Sequence, residues 1–129
     1  MADIKILIAD NQALTREGIK SLIGEIDGFE VIGEVESGME LPGEIGKLKP
    51  DLIIIDFQLP GYFSIDDIAA IYAGNPRAKV LVVSTSKNKD DILKAIGYGV
   101  NNYILKLCDK EEFINALYAT ARQERFFLW

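Results

Sequence analysis

Apolar runs and helical spacings take turns along this chain. "IKILIA", Ile4 to Ala9, is a short β-rich run that stops at Asp10, and "DNQALTREGIKSLIGE" then carries Leu14, Ile19, Leu22 and Ile23 at helical spacing. "FEVIGEV", Phe29 to Val35, alternates as a strand does. Ser37 and Gly38 open a weaker predicted helix through Leu48, with Pro42, Gly43 and Gly46 making it short or distorted. "DLIIID" and "KVLVVS" are apolar on both faces, the pattern of central parallel strands covered by helices above and below. Ser64, with Asp67 three residues later, is placed to cap a helix from about Ile65 to Ala73. "NKDDILKAIGYG" predicts a helix closed by Gly97 or Gly99, and "NNYILK" a fifth strand. Asp109 caps "KEEFINALYATARQE", whose Phe113, Ile114, Leu117, Tyr118 and Ala121 share one apolar face.

Five strand–helix units in unbroken succession require right-handed crossovers and a parallel sheet. The predicted fold is α/β: a flavodoxin-like, doubly wound, five-stranded parallel sheet in the order 2-1-3-4-5, with helices on both faces. Length agrees with one domain, since 129 residues with 49% hydrophobic and 26% charged composition suffice to bury about two-thirds of the unfolded surface.

Charge and composition then narrow the chemistry. A net charge of -6 with no histidine removes the phosphate attraction on which nucleic-acid binding depends, so no direct nucleic-acid binding by this domain is expected. Missing histidine also excludes His-based triads and the commonest zinc ligand. Cys108 is the only cysteine, so no internal disulfide forms, and the thiol is assigned no role. With no apolar stretch of roughly 18 residues and no basic leader, a cytoplasmic protein without membrane contact is expected.

Ligands of such sheets bind at the carboxyl ends of the strands, where the winding reverses. Asp10 ends the first strand, Asp56 the third, Ser84 the fourth and Lys106 the fifth, so Asp10, Asp56 and Lys106 are expected to lie close together with Ser84 on the rim. Any one of these could be a solvated loop residue, but four polar groups from four strands converging on one edge mark a site. Tyr103, on an apolar strand, reads from the residues alone as core. "SKNKDD", Ser86 to Asp91, reads as a solvated helix start, and Tyr62 with Phe63 as a cap on the core.

The blocks "ILIADNQALTREGI", "DLIIIDFQLPG", "VLVVSTS" and "NNYILK" resemble, in order and spacing, the motifs of receiver domains of two-component response regulators. The opening "LIADNQALTREG" and the ending "ERFFLW" most resemble the NarL/LuxR-type branch. This resemblance implies a phosphoacceptor at Asp56, Mg²⁺ held by Asp10, Asn11, Asp56 and the main-chain carbonyl of Gln58, and phosphoryl contacts from Ser84 and Lys106. It makes Ser84 and Tyr103 the switch pair. The implied partners are a sensor histidine kinase, the protein's own C-terminal DNA-binding output domain, and a second copy in a homodimer. Residues 1–122 would form the receiver, and 123–129 the start of a linker to a helix-turn-helix domain regulating transcription. Self-phosphotransfer and autodephosphorylation would be its only chemistry, so it is not otherwise an enzyme.

Three departures qualify the implication. Asn11 stands where the second acid of the metal-binding pair is usual, which weakens the expected Mg²⁺ site. Leu107 replaces the usual proline or aspartate after the lysine, and "GYFSI" replaces the usual Met-Asp-Gly arrangement. An alternative is therefore a phosphorylation-independent receiver serving as a protein-interaction module. A flavodoxin-like cofactor binder or small phosphotransfer enzyme using the same crevice is a further reading, against which "ADNQALTREG" lacks the glycines of a phosphate-binding loop.

Overall fold

A computed structural model of the chain describes residues 3–57 and 61–124. Among the described residues ten elements alternate strictly: β1 (Ile4–Ala9), α1 (Ala13–Gly24), β2 (Phe29–Val35), α2 (Leu41–Leu48), β3 (Leu52–Ile55), α3 (Ile65–Gly74), β4 (Lys79–Ser84), α4 (Lys89–Gly97), β5 (Asn102–Leu105) and α5 (Lys110–Ala121). The strands pair in parallel as β2-β1-β3-β4-β5, the order expected from the sequence. One irregularity, a register shift between Ile6 and Leu7, lies in the β1–β2 pairing.

Strand alternation sorts the core into two layers. Leu7, Ala9, Ile53, Ile55, Val80, Val82 and Tyr103 face α2, α3 and α4, where Leu41, Ile68, Ile71, Ile92 and Ala95 meet them. Ile6, Ile8, Leu52, Ile54, Leu81, Val83 and Ile104 face α1 and α5, against Ile19, Ile23, Phe113, Ala116 and Leu117. Because both faces are covered, the central strands read as unbroken apolar runs. Burial of this apolar surface holds the layers together at roughly 25 cal/mol per Å².

Helix ends follow local chemistry. Ser64 and Asp67 form the expected capping box of α3, with the Asp67 carboxylate 2.8 Å from the Ser64 N–H. Asp109 accepts the Glu112 N–H at 2.8 Å, as expected. Asn88 caps α4, accepting the N–H groups of Asp90 and Asp91. Gly97 is still helical, and Gly99, at φ 107, closes the helix in a conformation that favours glycine. The expected start of α2 at Ser37 is corrected: residues 36–40 form a turn, and the helix begins at Leu41. There the Glu40 carboxylate accepts the N–H groups of Glu36 and Ser37 and the Ser37 hydroxyl, while Pro42 suits the first helical turn.

Three further hydrogen bonds order the loops and the end of α5. Gly38 donates its N–H to the Tyr62 carbonyl at 2.6 Å, and a Cβ at Gly38 would lie 2.5 to 2.8 Å from the Asp67 carboxylate. At the amino end of β5, fully buried Asn102 donates to Thr120 Oγ1 at 2.9 Å and to the Glu124 carbonyl at 2.7 Å. No described helix is long and apolar enough to cross a membrane.

Candidate functional site at the carboxyl edge

Parallel pairing brings the ends of β1, β3 and β5 to one edge, and the ladder continues past them. Asp10 N–H donates to Val35 O, Asp56 N–H to Ala9 O, and Lys106 N–H to Ser84 O. The three side chains are thereby fixed on backbone that cannot shift without breaking sheet bonds. Asp10 is 3% exposed and Asp56 1%, and burying two carboxylates together demands a compensating cation. Lys106 supplies it: its Nζ lies 2.7 Å from Asp56 Oδ2 and 2.9 Å from Asp10 Oδ2. The closer approach is a charge contact off the hydrogen-bond direction.

The remaining capacity of this cluster is taken up locally. Asp10 Oδ1 accepts the Gln12 N–H at 2.7 Å, and Lys106 also donates to Gln12 Oε1. Behind Asp10, Arg16 donates to the Asp10 carbonyl at 2.8 Å and is held by Glu34 at 2.9 Å and Glu36 at 3.1 Å. Lys20 pairs with Glu34 at 3.0 Å and with Glu17 at 2.7 Å. Burial acts to raise the Glu34 carboxyl, but hydrogen bonds from Lys20 and Arg16 outweigh it and hold the group below the usual carboxylate range. This β2–α1 network was missed from sequence. Its only signal was a charged residue, Glu34, on a strand beside Arg16 and Lys20 four residues apart on a helix.

Ser84 ends β4 as expected but is fully buried, not on the rim of the site. Its Oγ accepts the Ser86 N–H at 3.1 Å. Tyr103 donates to the Ser86 carbonyl at 2.9 Å, and its ring meets Phe57 edge-on at 6.0 Å. Burial raises the Tyr103 phenol above its ordinary range, with hydrogen bonding to Ser84 and Ser86 opposing that shift. Ser86 also donates to Asp91 at 3.1 Å. One loop residue thus joins both members of the expected switch pair, and the Tyr103 ring is inside the core. Phe63 is buried and Tyr62 half-exposed, so only the former caps the core.

Asn11 follows Asp10, half-buried, whereas Gln58 and residues 125–129 of the expected linker lie outside the described residues. Burial pushes the Cys108 thiol up, consistent with a packing residue of low nucleophilicity. Oxygen donors from Asp10 and Asp56 suit a hard cation such as Mg²⁺ in kind. With Asn11 beside Asp10 where a third acid would add charge, the described residues bring two carboxylates to the edge and not three.

Three comparisons with known proteins agree with this geometry. The family described as "Response regulator receiver domain" matches residues 6–118. The nitrate/nitrite response regulator protein homolog of Haemophilus influenzae is 31% identical over 121 residues, covering 94% of this chain and 58% of that protein. Response regulator protein VraR of Staphylococcus aureus is 32% identical over 124 residues, covering 96% of this chain and 59% of that protein. The chain therefore spans less than two-thirds of the length of these relatives. A solved LuxR-family two-component response regulator from Aurantimonas sp. superimposes with a TM-score of 0.89 at 25% identity, covering 98% of this chain and 90% of that one.

Proposed function

The chain belongs to the response regulator receiver family of two-component systems, and from that premise we propose that Asp56 accepts a phosphoryl group from a histidine kinase. The supporting observation is the buried pair of carboxylates, Asp10 and Asp56, closed by Lys106 at 2.9 and 2.7 Å on three sheet-anchored strand ends. An Asp56 oxygen attacks phosphorus in line, forming a P–O bond as the P–N bond of a phosphohistidine breaks, and the imidazole nitrogen keeps the electron pair. Held on β3, the carboxylate starts near the attack geometry. Once the acyl phosphate forms, Lys106 is placed to pair with its oxygens. The Ser84 hydroxyl, released from the Ser86 N–H, can rotate to the same group, which frees Ser86 and thereby acts on Tyr103.

Asp10, Asp56 and Asn11 would hold Mg²⁺, which when bound neutralises charge on the transferring group. The output is transcriptional: the relatives' greater length leaves room for a DNA-binding domain, and the acidic receiver, at net charge -6, would leave DNA contact to it. A homodimer and a cytoplasmic location belong to the same proposal. Incubation with a small phosphodonor and Mg²⁺, read by intact mass, tests the reading. One phosphoryl group on the native protein and none on Asp56→Asn is the expected result. Labelling of the variant would move the site elsewhere. No labelling of either protein would favour a phosphorylation-independent interaction module, a reading that Asn11 supports.

A further inference from the structure

Gln12 occupies the N-cap of α1, where a short Ser, Thr, Asp or Asn usually satisfies the first free N–H groups. It makes no such cap. Its side chain instead reaches a residue 94 positions away, with Oε1 accepting from Lys106 Nζ. Thr15 Oγ1 also points to that oxygen at 3.4 Å, so two donors fix which end of the amide faces the lysine. Meanwhile the Gln12 main-chain N–H holds Asp10 Oδ1. One residue thus grips the acid through its backbone and the ammonium through its side chain.

We propose that Gln12 is a positioning residue that latches the Lys106 ammonium across Asp10 and Asp56, so that a divalent cation must displace a three-point contact to reach the carboxylates. This rests on the phosphoacceptor reading of the edge. The ammonium donates a hydrogen bond to Gln12 Oε1 and lies at ion-pair distance from Asp10 Oδ2 and Asp56 Oδ2. A cation held by Asp10 and Asp56 would compete with the ammonium for their negative charge, so loosening the ammonium favours the metal. Removing the Gln12 acceptor weakens one competitor while both carboxylates stay in place.

Gln12→Met keeps the length and the backbone bond to Asp10 while deleting the acceptor. Because Gln12 is exposed, the variant has no core to disturb. Two readouts decide the matter in native and Asn11→Asp proteins: proton exchange of the Lys106 ammonium by nitrogen-resolved NMR without metal, and Mg²⁺ affinity by calorimetry. Gln12→Met is expected to speed ammonium exchange and to tighten Mg²⁺ by about fivefold, the central value for one intramolecular hydrogen bond. Equal Mg²⁺ affinities in measurably binding proteins would overturn the proposal while leaving the phosphoacceptor intact. Should even Asn11→Asp bind no Mg²⁺, the metal part of the functional reading falls. The latch then stands on faster ammonium exchange alone and is overturned by unchanged exchange.

Discussion

At its amino end β5 buries Asn102 against Thr120 and the Glu124 carbonyl, and just past its carboxyl end it delivers Lys106 to Asp10 and Asp56. The first group is neutral, and its donors and acceptors match within the fold. The second buries two negative charges against one positive charge. A neutral buried network adds about 1 kcal/mol per hydrogen bond, whereas a buried ion cluster often does no better than apolar residues of equal volume. Four positions along the chain therefore separate a contact that adds stability from one that adds little of its own.

Removing the charge balance is expected to have the largest effect. Lys106→Met leaves Asp10 and Asp56 facing each other without their cation, and urea unfolding should show a loss of about 3 kcal/mol together with lost phosphate uptake. A stability change below about 1 kcal/mol would mean that solvent already screens the pair. At the other end, Asn102→Ala strips a donor from the Glu124 carbonyl, and about 1 to 2 kcal/mol should be lost while phosphate uptake on the folded protein is unchanged. Loss of uptake in that variant would erase the distinction between the two ends.

Adding charge at the carboxyl edge sharpens the contrast. Asn11→Asp should tighten Mg²⁺ by about tenfold, or about 1.4 kcal/mol, and lower stability without metal. Calorimetry with and without Mg²⁺ checks both. The smallest effect comes from putting charge at the neutral end. Tyr72 donates to the Gly99 carbonyl at 2.9 Å, shortly before β5, and burial pushes its phenol up to about 12. Unfolded tyrosine ionises near 10. A folded value above the unfolded one gives stability that is complete below about pH 10 and is lost as pH rises toward about 12. Tyr72→Phe should flatten that part of the stability profile.

Sheet order and strand identity were legible because doubly buried parallel strands announce themselves as apolar runs, and strand ends carry the polar groups. Asp10, Asp56 and Lys106 met as expected for that reason. What stayed hidden was set by side-chain reach. Nothing in the local pattern says that Gln12 turns toward Lys106 or that Arg16 holds the Asp10 carbonyl, since both contacts join residues brought together only by the fold. Ser84 was misplaced on the rim because its depth depends on the β4–α4 loop folding over it through Ser86. The start of α2 was misread because Glu40, not Ser37, supplies the acceptor for the turn.

Gly38 and Asp67 carry a consequence for divergence. A methyl group at position 38 would overlap the Asp67 carboxylate, and that carboxylate is committed to the Ser64 N–H. A larger residue at 38 is therefore compatible only with a shorter one at 67, and the shorter one gives up the capping box. Either change alone is penalised by clash or by lost capping, so among descendants of this sequence the two positions should covary.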